Sequence, residues 1–268
     1  MSTFVRPNPA SGRADFNLFL RDEEVKVVRE NLGIFRRIDQ DRKKWLLSEG
    51  YHNNEFTYYG RVKAEFGDST PVLKEGSRVL DWGCSVGVTT IELANLHKGC
   101  EVTGLEVRGY LKCFTDHIIA QVKADPSYLG NRIPPELRRA IKVPERLLLP
   151  KEFLVADGFK APFPDHSFDA VYCMNNLYYV LNTLDDHRRF ERFHQVIRLV
   201  RPGGYFMLSG GGTVGTDGSS SDLMMMVLRK EKEGMKPVRM NASDWNGRAR
   251  SEMVLEACKK DFCTTDWL

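Results

Sequence analysis

From Asp22 to Leu47 apolar side chains return at near-helical spacing (Val25, Val28, Leu32, Phe35, Ile38, then Trp45) and predict one or two amphipathic helices. Ahead of them, residues 1–17 hold prolines, Gly12 and few periodic apolar positions, and read as an arm. The stretch "YHNNEFTYYGRVKAEFGDSTP" is rich in aromatics and turn formers and reads as an irregular segment or short helix. After Gly76 the period changes. Short apolar runs now alternate with helical stretches: "SRVLDWG" and a helix over Val88–His97, then "EVTGLEV" and a helix over Tyr110–Lys123. "FLVADG" and "FDAVYCMN" follow, then a helix from about Leu184 to Val200 and the run "GYFMLSGG". Five strands with intervening helices predict βαβ units, hence an α/β fold with a doubly wound, mostly parallel sheet. Gly203–Gly204 after Arg201–Pro202 stops a helix and turns into the fifth strand.

Two regions depart from this alternation. Between Glu106 and Phe153 lie more than forty residues, where a crossover helix needs about twenty. The excess, about residues 125–150, is "PSYLGNRIPPELRRAIKVPERLLLP" and its preceding residue. Its prolines make it a surface insertion between strands two and three, which either shapes access to a site or serves structure or oligomer formation. Beyond Gly210, "GGTVGTDGSSSD" reads as a loop, "LMMMVLRKEKEG" as a helix, and the chain closes with a helix from about Arg248 to Lys260. A sixth strand could come from "KPVRM" or from the last residues, so either the C-terminal edge of the sheet is shortened or the chain is a piece of a longer polypeptide. The organisation expected is an N-terminal arm and helical lid over 1–71 and a ligand-binding domain over 72–268.

Composition narrows the classes. Hydrophobic residues make up 42% of the 268 and charged residues 28%, as in soluble globular proteins. A net charge of +3 is too slight for the basic stripe of a nucleic-acid binder, and "RRIDQDRKK" alternates in sign as a solvated helix face does. The six cysteines (Cys84, Cys100, Cys113, Cys173, Cys258, Cys263) have no C-x-x-C spacing, which gives neither a zinc site nor a disulfide framework and fits reduced thiols. No apolar run approaches the ~18 residues of a membrane span and no signal-type apolar region opens the chain. The expectation is a cytoplasmic protein without a metal.

The chemistry gathers at "RVLDWGCSVGVTTIELA", where Asp81, Gly83, Ser85 and Gly87 fall at the end of the first sheet strand. In open α/β sheets ligands bind outside the carboxyl ends of the strands. Glycine lets the backbone approach them, and the next helix offers unpaired N–H groups. The segment has neither G-x-x-x-x-G-K-[ST] nor G-x-G-x-x-G. Asp81 would repel a pyrophosphate and favour a ligand with an ammonium or sulfonium charge. Plainer readings exist for each residue: Asp81 as a helix cap, Glu106 as an exposed strand end, Asp157–Gly158 as an ordinary turn pair.

"VLDWGCSVG" resembles the D/E-x-G-x-G-x-G signature of class I S-adenosylmethionine-dependent methyltransferases, with Ser85 in place of the middle glycine. "EVTGLEV", "VADGFKAPFPDHSFDAVYCMNNLYYV" with its "PFPD-x-SFD" run, and "VIRLVRPGGYFMLSG" resemble further blocks of that family, in the same order. The likeness covers roughly Val72 to Gly211 and is closest to small-molecule enzymes carrying the PFPDxSFD run. It implies a Rossmann-like fold and S-adenosylmethionine as cofactor. By resemblance, Asp81 orders the glycine loop and the methionine ammonium. Gly83, Ser85 and Gly87 give close backbone contacts, with Cys84 in the same loop, and Glu106 takes the ribose hydroxyls. Asp157 accepts from the adenine amino group, Gly158 donates its N–H to the ring, and Asn175 faces the methionine part.

Methyl transfer is an in-line attack on an already activated carbon, so the protein mainly aligns the nucleophile and excludes water. A base is needed only where the acceptor must lose a proton early. Acceptor-side candidates are Asn176, Tyr178, Tyr179, the lid residues Tyr58 and Tyr59, and His166. "MNNLYY" lacks the N-P-P-Y pattern of enzymes that methylate adenine or glutamine nitrogen. The function expected is methyl transfer to O, N or S of a small molecule. The alternatives are a protein or RNA methyltransferase and a methyltransferase-like module that binds a partner without catalysis.

Overall fold

The run "RVLDW" has no room for a solvent face: after its first residue every side chain is buried, as in a strand covered on both sides. A computed structural model of the chain describes residues 58–106, 111–133, 137–174, 186–210, 213–214, 220–221, 224–232 and 234–242, with positions 252, 254 and 255. In chain order the elements are α1 (Arg61–Phe66), β1 (Arg78–Trp82), α2 (Val88–Leu96), β2 (Glu101–Glu106), α3 (Leu111–Ala124), β3 (Glu152–Val155) and β4 (Phe168–Met174). There follow α4 (Asp186–Ile197), β5 (Val200–Gly210), β6 (Thr213–Val214), β7 (Ser220–Ser221), β8 (Met224–Glu231) and β9 (Gly234–Ala242).

Seven strands form one sheet in the order β3-β2-β1-β4-β5-β8-β9, and β6 and β7 make a separate two-stranded ribbon. The pairs β3–β2, β2–β1, β1–β4 and β4–β5 are parallel, whereas β5–β8 and β8–β9 are antiparallel. This is the mostly parallel α/β sheet that the alternation of strands and helices predicts, in the Rossmann-like form that the family resemblance implies. Chain order reverses beside β1, with β2 on one flank and β4 on the other, and such a reversal opens a crevice at the carboxyl ends of the strands. Asp81 sits there, opposite Gly104 of β2 and Tyr172 of β4.

Each face of the sheet has its own core. On one, Val62 and Phe66 of α1 and Leu93 and Ala94 of α2 pack with Val79, Val102, Ala170, Tyr172 and Met207. On the other, Phe193, Val196 and Ile197 of α4 pack with Leu80, Phe168, Val171, Phe206 and Leu208. The short α1 is therefore part of the sheet's own packing layer. The insertion contains a tight helical turn over Pro126–Arg132, N-capped by the Asp125 side chain, which accepts from the Ser127 amide at 2.9 Å.

One element differs from expectation. "LMMMVLRKEKEG" is strand β8 and its turn rather than a helix, and "KPVRM" lies in β9, its hairpin partner. Met225 and Val227 face one core and Met226 and Leu228 the other, so the period of two is hidden by burial on both faces. The sheet's antiparallel pair thus follows β5 directly through the small ribbon. The helices expected over Asp22–Leu47 and the arm lie outside the described residues, as does most of the final helix, of which 252, 254 and 255 are helical.

Candidate functional site

The glycine loop leaves β1 at Gly83 (φ +75°) and enters α2 at Gly87 (φ +82°), with Ser85 also left-handed at +52°. Ser85 thus adopts the backbone its glycine-like position demands despite its side chain, a conformation that costs an L-residue about 1 kcal/mol or more. The amides of Gly83 and Cys84 both donate to the Leu105 carbonyl, at 2.7 and 2.9 Å, and that of Gly87 to Cys84 O at 2.9 Å. These bonds fold the loop back over the end of β2. Gly87 is a glycine for a further reason: a Cβ there would lie 2.5 Å from Cε1 of Phe153, whose ring comes from β3.

Asp81 is 1% exposed. Its Oδ2 accepts from the hydroxyls of Thr89 and Thr90, at 2.8 and 2.7 Å, so the acid grips the first turn of α2 by side chains. The cap position itself is Gly87, and no side chain caps it. Burial pushes the Asp81 carboxyl up to about 6, against the two threonine hydroxyls and the Arg61 charge, which pull it down. The Cys84 thiol, also buried, is pushed well up.

Glu106 ends β2 buried, and its Oε2 accepts from the Ser85 amide at 3.0 Å. One carboxylate thereby ties the second strand tip to the loop of the first. At the tip of β3 the Asp157 Oδ1 accepts from the Phe159 amide at 3.0 Å and starts a short helical turn over Gly158–Lys160. Trp82 closes the gap between these tips. Its Nε1 donates to Gly158 O at 3.1 Å, and its ring meets Phe159 edge-on at 5.2 Å between centroids.

The structure thus brings together Asp81, Gly83, Cys84, Ser85, Gly87, Glu106, Asp157 and Gly158 at the carboxyl ends of three adjacent strands. It also brings the strap before α1 onto α2, the helix that the loop enters. Tyr59 is buried, which raises its hydroxyl pKa, and Arg61 is 3% exposed with its charge felt at Asp81. Tyr58 borders it, half-buried. His166 stands elsewhere, in the turn before β4 at the opposite end of that strand. Its Nδ1 lies 3.2 Å from both Val200 O and the Lys230 Nζ. Asn175, Asn176, Tyr178 and Tyr179 lie outside the described residues.

Four contributors escaped the reading of the sequence. Thr89 and Thr90 are signalled only by a hydroxyl pair eight and nine residues beyond the acid. Trp82 looks like one more apolar strand residue. Glu92 has the least visible role: it is buried on α2, and its carboxylate accepts the amides of Gly60 and Val62 through Oε2, at 2.9 and 3.1 Å, and of Lys63 through Oε1 at 3.0 Å. Nothing local marks a partner 32 residues upstream.

Residues 80–208 match a family model described as a methyltransferase domain. Sterol 24-C-methyltransferase ERG6A of Gibberella zeae is 31% identical over 134 residues, 50% of this chain and 27% of that protein. Fatty-acid O-methyltransferase of Mycolicibacterium smegmatis is 31% identical over 138 residues, 50% of this chain and 36% of that protein. The chain therefore spans well under half the length of these curated relatives. A solved S-adenosylmethionine-dependent methyltransferase of Methanosarcina mazei aligns at 25% identity over 53% of this chain and 55% of that one, with a TM-score of 0.38. No helix among the described residues is long and apolar enough to cross a membrane. The matched segment runs from Leu80 in β1 to Leu208 near the end of β5, just under half of the chain, so the tips of β1, β2 and β3 all lie within the part that resembles a methyltransferase domain.

Proposed function

We propose that this chain transfers a methyl group from S-adenosylmethionine to an oxygen, nitrogen or sulfur atom of a small molecule. The observation that carries the reading is the row of acidic side chains Asp81, Glu106 and Asp157 at the ends of β1, β2 and β3, neighbours in the sheet, joined by a loop with three left-handed residues. The residues suit the cofactor in charge and in chemistry. Asp81 and the loop amides would hold the amino-acid part, Glu106 the ribose hydroxyls, and Asp157 with the Gly158 amide the adenine edge. When bound, the cofactor supplies an electrophilic methyl on sulfonium.

The chain's own share is to bind, orient and exclude water. The buried Asp81 carries negative charge in a region of low dielectric, where a cationic group is held more strongly than in water. Trp82, Phe159 and Phe153 make the walls around the strand tips apolar, and the Tyr58–Lys63 strap is bound to α2, the helix that the loop enters. Small-molecule acceptors agree with the sterol and fatty-acid substrates in the names of the relatives, and with a net charge of only +3. On this reading residues 1–71 are an N-terminal arm and helical lid, with α1 anchoring it in the core of the sheet, and residues 72–268 the methyltransferase domain.

The test is calorimetric titration of the purified chain with S-adenosylmethionine, followed by a labelled-methyl screen against metabolite, protein and RNA fractions. Micromolar binding and label in a small molecule are expected. The absence of binding at millimolar cofactor would overturn the enzyme reading, and label confined to protein or RNA would overturn the acceptor class.

A further inference from the structure

Helix α1 begins with no acidic residue in its first turn and no side-chain cap of its own. Its amides are instead taken by Glu92, 4% exposed, three of them on one carboxylate. Burying a carboxylate is costly unless its oxygens are hydrogen-bonded, and three amide donors meet that need, while an apolar side chain in its place would leave those amides without their acceptor. The carboxylate thus fixes where the chain enters α1.

Two neighbours say where that is. Glu92 lies three residues beyond Thr89 on α2, so both side chains stand on one helix face, and Thr89 is the residue that holds Asp81. From the other side, the insertion presses on the same strap. A Cβ on Gly60, which has φ +99°, would lie 2.3 Å from Cγ2 of Ile141, and the Lys63 Nζ donates to Ala140 O at 3.2 Å. Gly60 is therefore held between Glu92 and Ile141, next to the buried Tyr59 and Arg61.

We infer that Glu92 is a positioning residue that seats the Tyr58–Lys63 strap on α2, the helix whose first turn holds Asp81, so that cofactor affinity depends on a carboxylate which does not face the cofactor. The assignment rests on the cofactor reading above. Helix α2 then joins two tasks: its first turn fixes Asp81 and its second anchors the cover.

The test uses the whole chain, with Glu92→Gln, Glu92→Asp and, as a surface control, Glu101→Gln. Cofactor affinity is measured by calorimetry, and amide exchange over 58–63 by mass spectrometry with and without S-adenosylmethionine. Glu92→Gln keeps the carbonyl but replaces an accepting oxygen with a donor. It is expected to speed exchange at 58–63 and to weaken cofactor binding on the order of tenfold, with Glu92→Asp between it and the wild type and Glu101→Gln unchanged. A merely structural glutamate would lower the unfolding temperature without moving the affinity of the folded fraction. If Glu92→Gln does not fold, the wild type decides: cofactor should slow exchange at 58–63, and its failure to do so overturns the assignment. Equal affinity in Glu92→Gln and wild type overturns the assignment and leaves the cofactor reading standing. A wild type that binds no cofactor overturns both.

Discussion

The indole N–H of Trp82, at the tip of β1, donates to the carbonyl of Gly158 beyond β3, 76 residues later and across the intervening strand β2. The bond is buried and fixes the Asp157–Gly158 turn relative to the glycine loop. Trp82→Phe keeps most of the apolar packing and removes the donor. It should cost about 1 kcal/mol or somewhat more, because the Gly158 carbonyl loses its partner. Thermal unfolding checks the stability. On the proposed cofactor reading, which puts the adenine at this turn, isothermal titration should show a larger loss of affinity for S-adenosylmethionine than for methionine.

Asp81→Asn and Glu106→Gln should each weaken S-adenosylmethionine binding by about tenfold to a hundredfold, the range for losing a charged hydrogen-bond acceptor. Far-ultraviolet circular dichroism should remain that of the wild type. Normal affinity in both variants would remove these carboxylates from the binding site.

Cofactor affinity should depend on pH through Asp81. Its folded pKa is raised from 3.8 to about 6, so the stability this group contributes is full below the lower value and is lost as pH rises through the upper one. A cationic ligand selects the ionised form. Binding should therefore tighten as pH rises through about 6 and fall toward tenfold per unit below it. Calorimetry across that interval should show this slope in the wild type and a flatter one in Asp81→Asn.

The pair His97 and Tyr172 gives a prediction on stability. The His97 Nε2 lies 2.8 Å from the Tyr172 hydroxyl, with both side chains buried. Burial lowers the His97 pKa from 6.5 to about 4. Its stabilising contribution is thus present above pH 6.5 and lost as pH falls toward 4, a total on the order of 3 kcal/mol. Urea unfolding of His97→Leu at a series of pH values should show a shallower acid limb. At neutral pH, His97→Leu alone should cost about 1–3 kcal/mol by orphaning the tyrosine hydroxyl, and adding Tyr172→Phe should recover part of it.

Gly87→Ala should be among the most damaging single-methyl changes at the site. It meets Phe153 at 2.5 Å and strains a φ of +82°, for which about 1 kcal/mol comes from the backbone alone. In the double variant with Phe153→Leu, part of the lost unfolding temperature should return. No recovery would mean that the backbone alone sets the requirement.

How far the molecule can be read from its residues depends on where each partner lies. Strands β1 and β2 are legible because an apolar run ends in a glycine or an acid and a helix pattern follows, and β4 and β5 because each is a compact apolar run set off by turn formers. The strand tips Asp81, Glu106 and Asp157 follow from the same punctuation, since the carboxyl ends of parallel strands share one side. Met224–Glu231 misleads because methionine, leucine, lysine and glutamate are good helix formers, while burial on both faces erases the alternation that marks a strand. Glu92 is illegible for another reason. A glutamate in "TTIELA" looks like the solvent face of a helix, and only the fold brings three amides from before β1 to meet it. His166 shows the converse: a chemically apt side chain in a family-like run stands at the far end of β4.

The placement of β1 between β2 and β4 also bears on how the protein comes into being during synthesis. The Arg78 amide at the start of β1 is held by Asp169 Oδ2, 91 residues further along. A nascent chain that has just released the glycine loop therefore has one side of β1 unpaired until Phe168–Met174 has left the ribosome. Parallel pairing over such separations closes slowly, and an open apolar edge meanwhile invites association with other chains. Because S-adenosylmethionine would bind only the closed arrangement, its concentration in the cell would pull late-folding molecules toward the native state by mass action. The cofactor would then serve the polypeptide as a folding ligand before it serves it as a methyl donor.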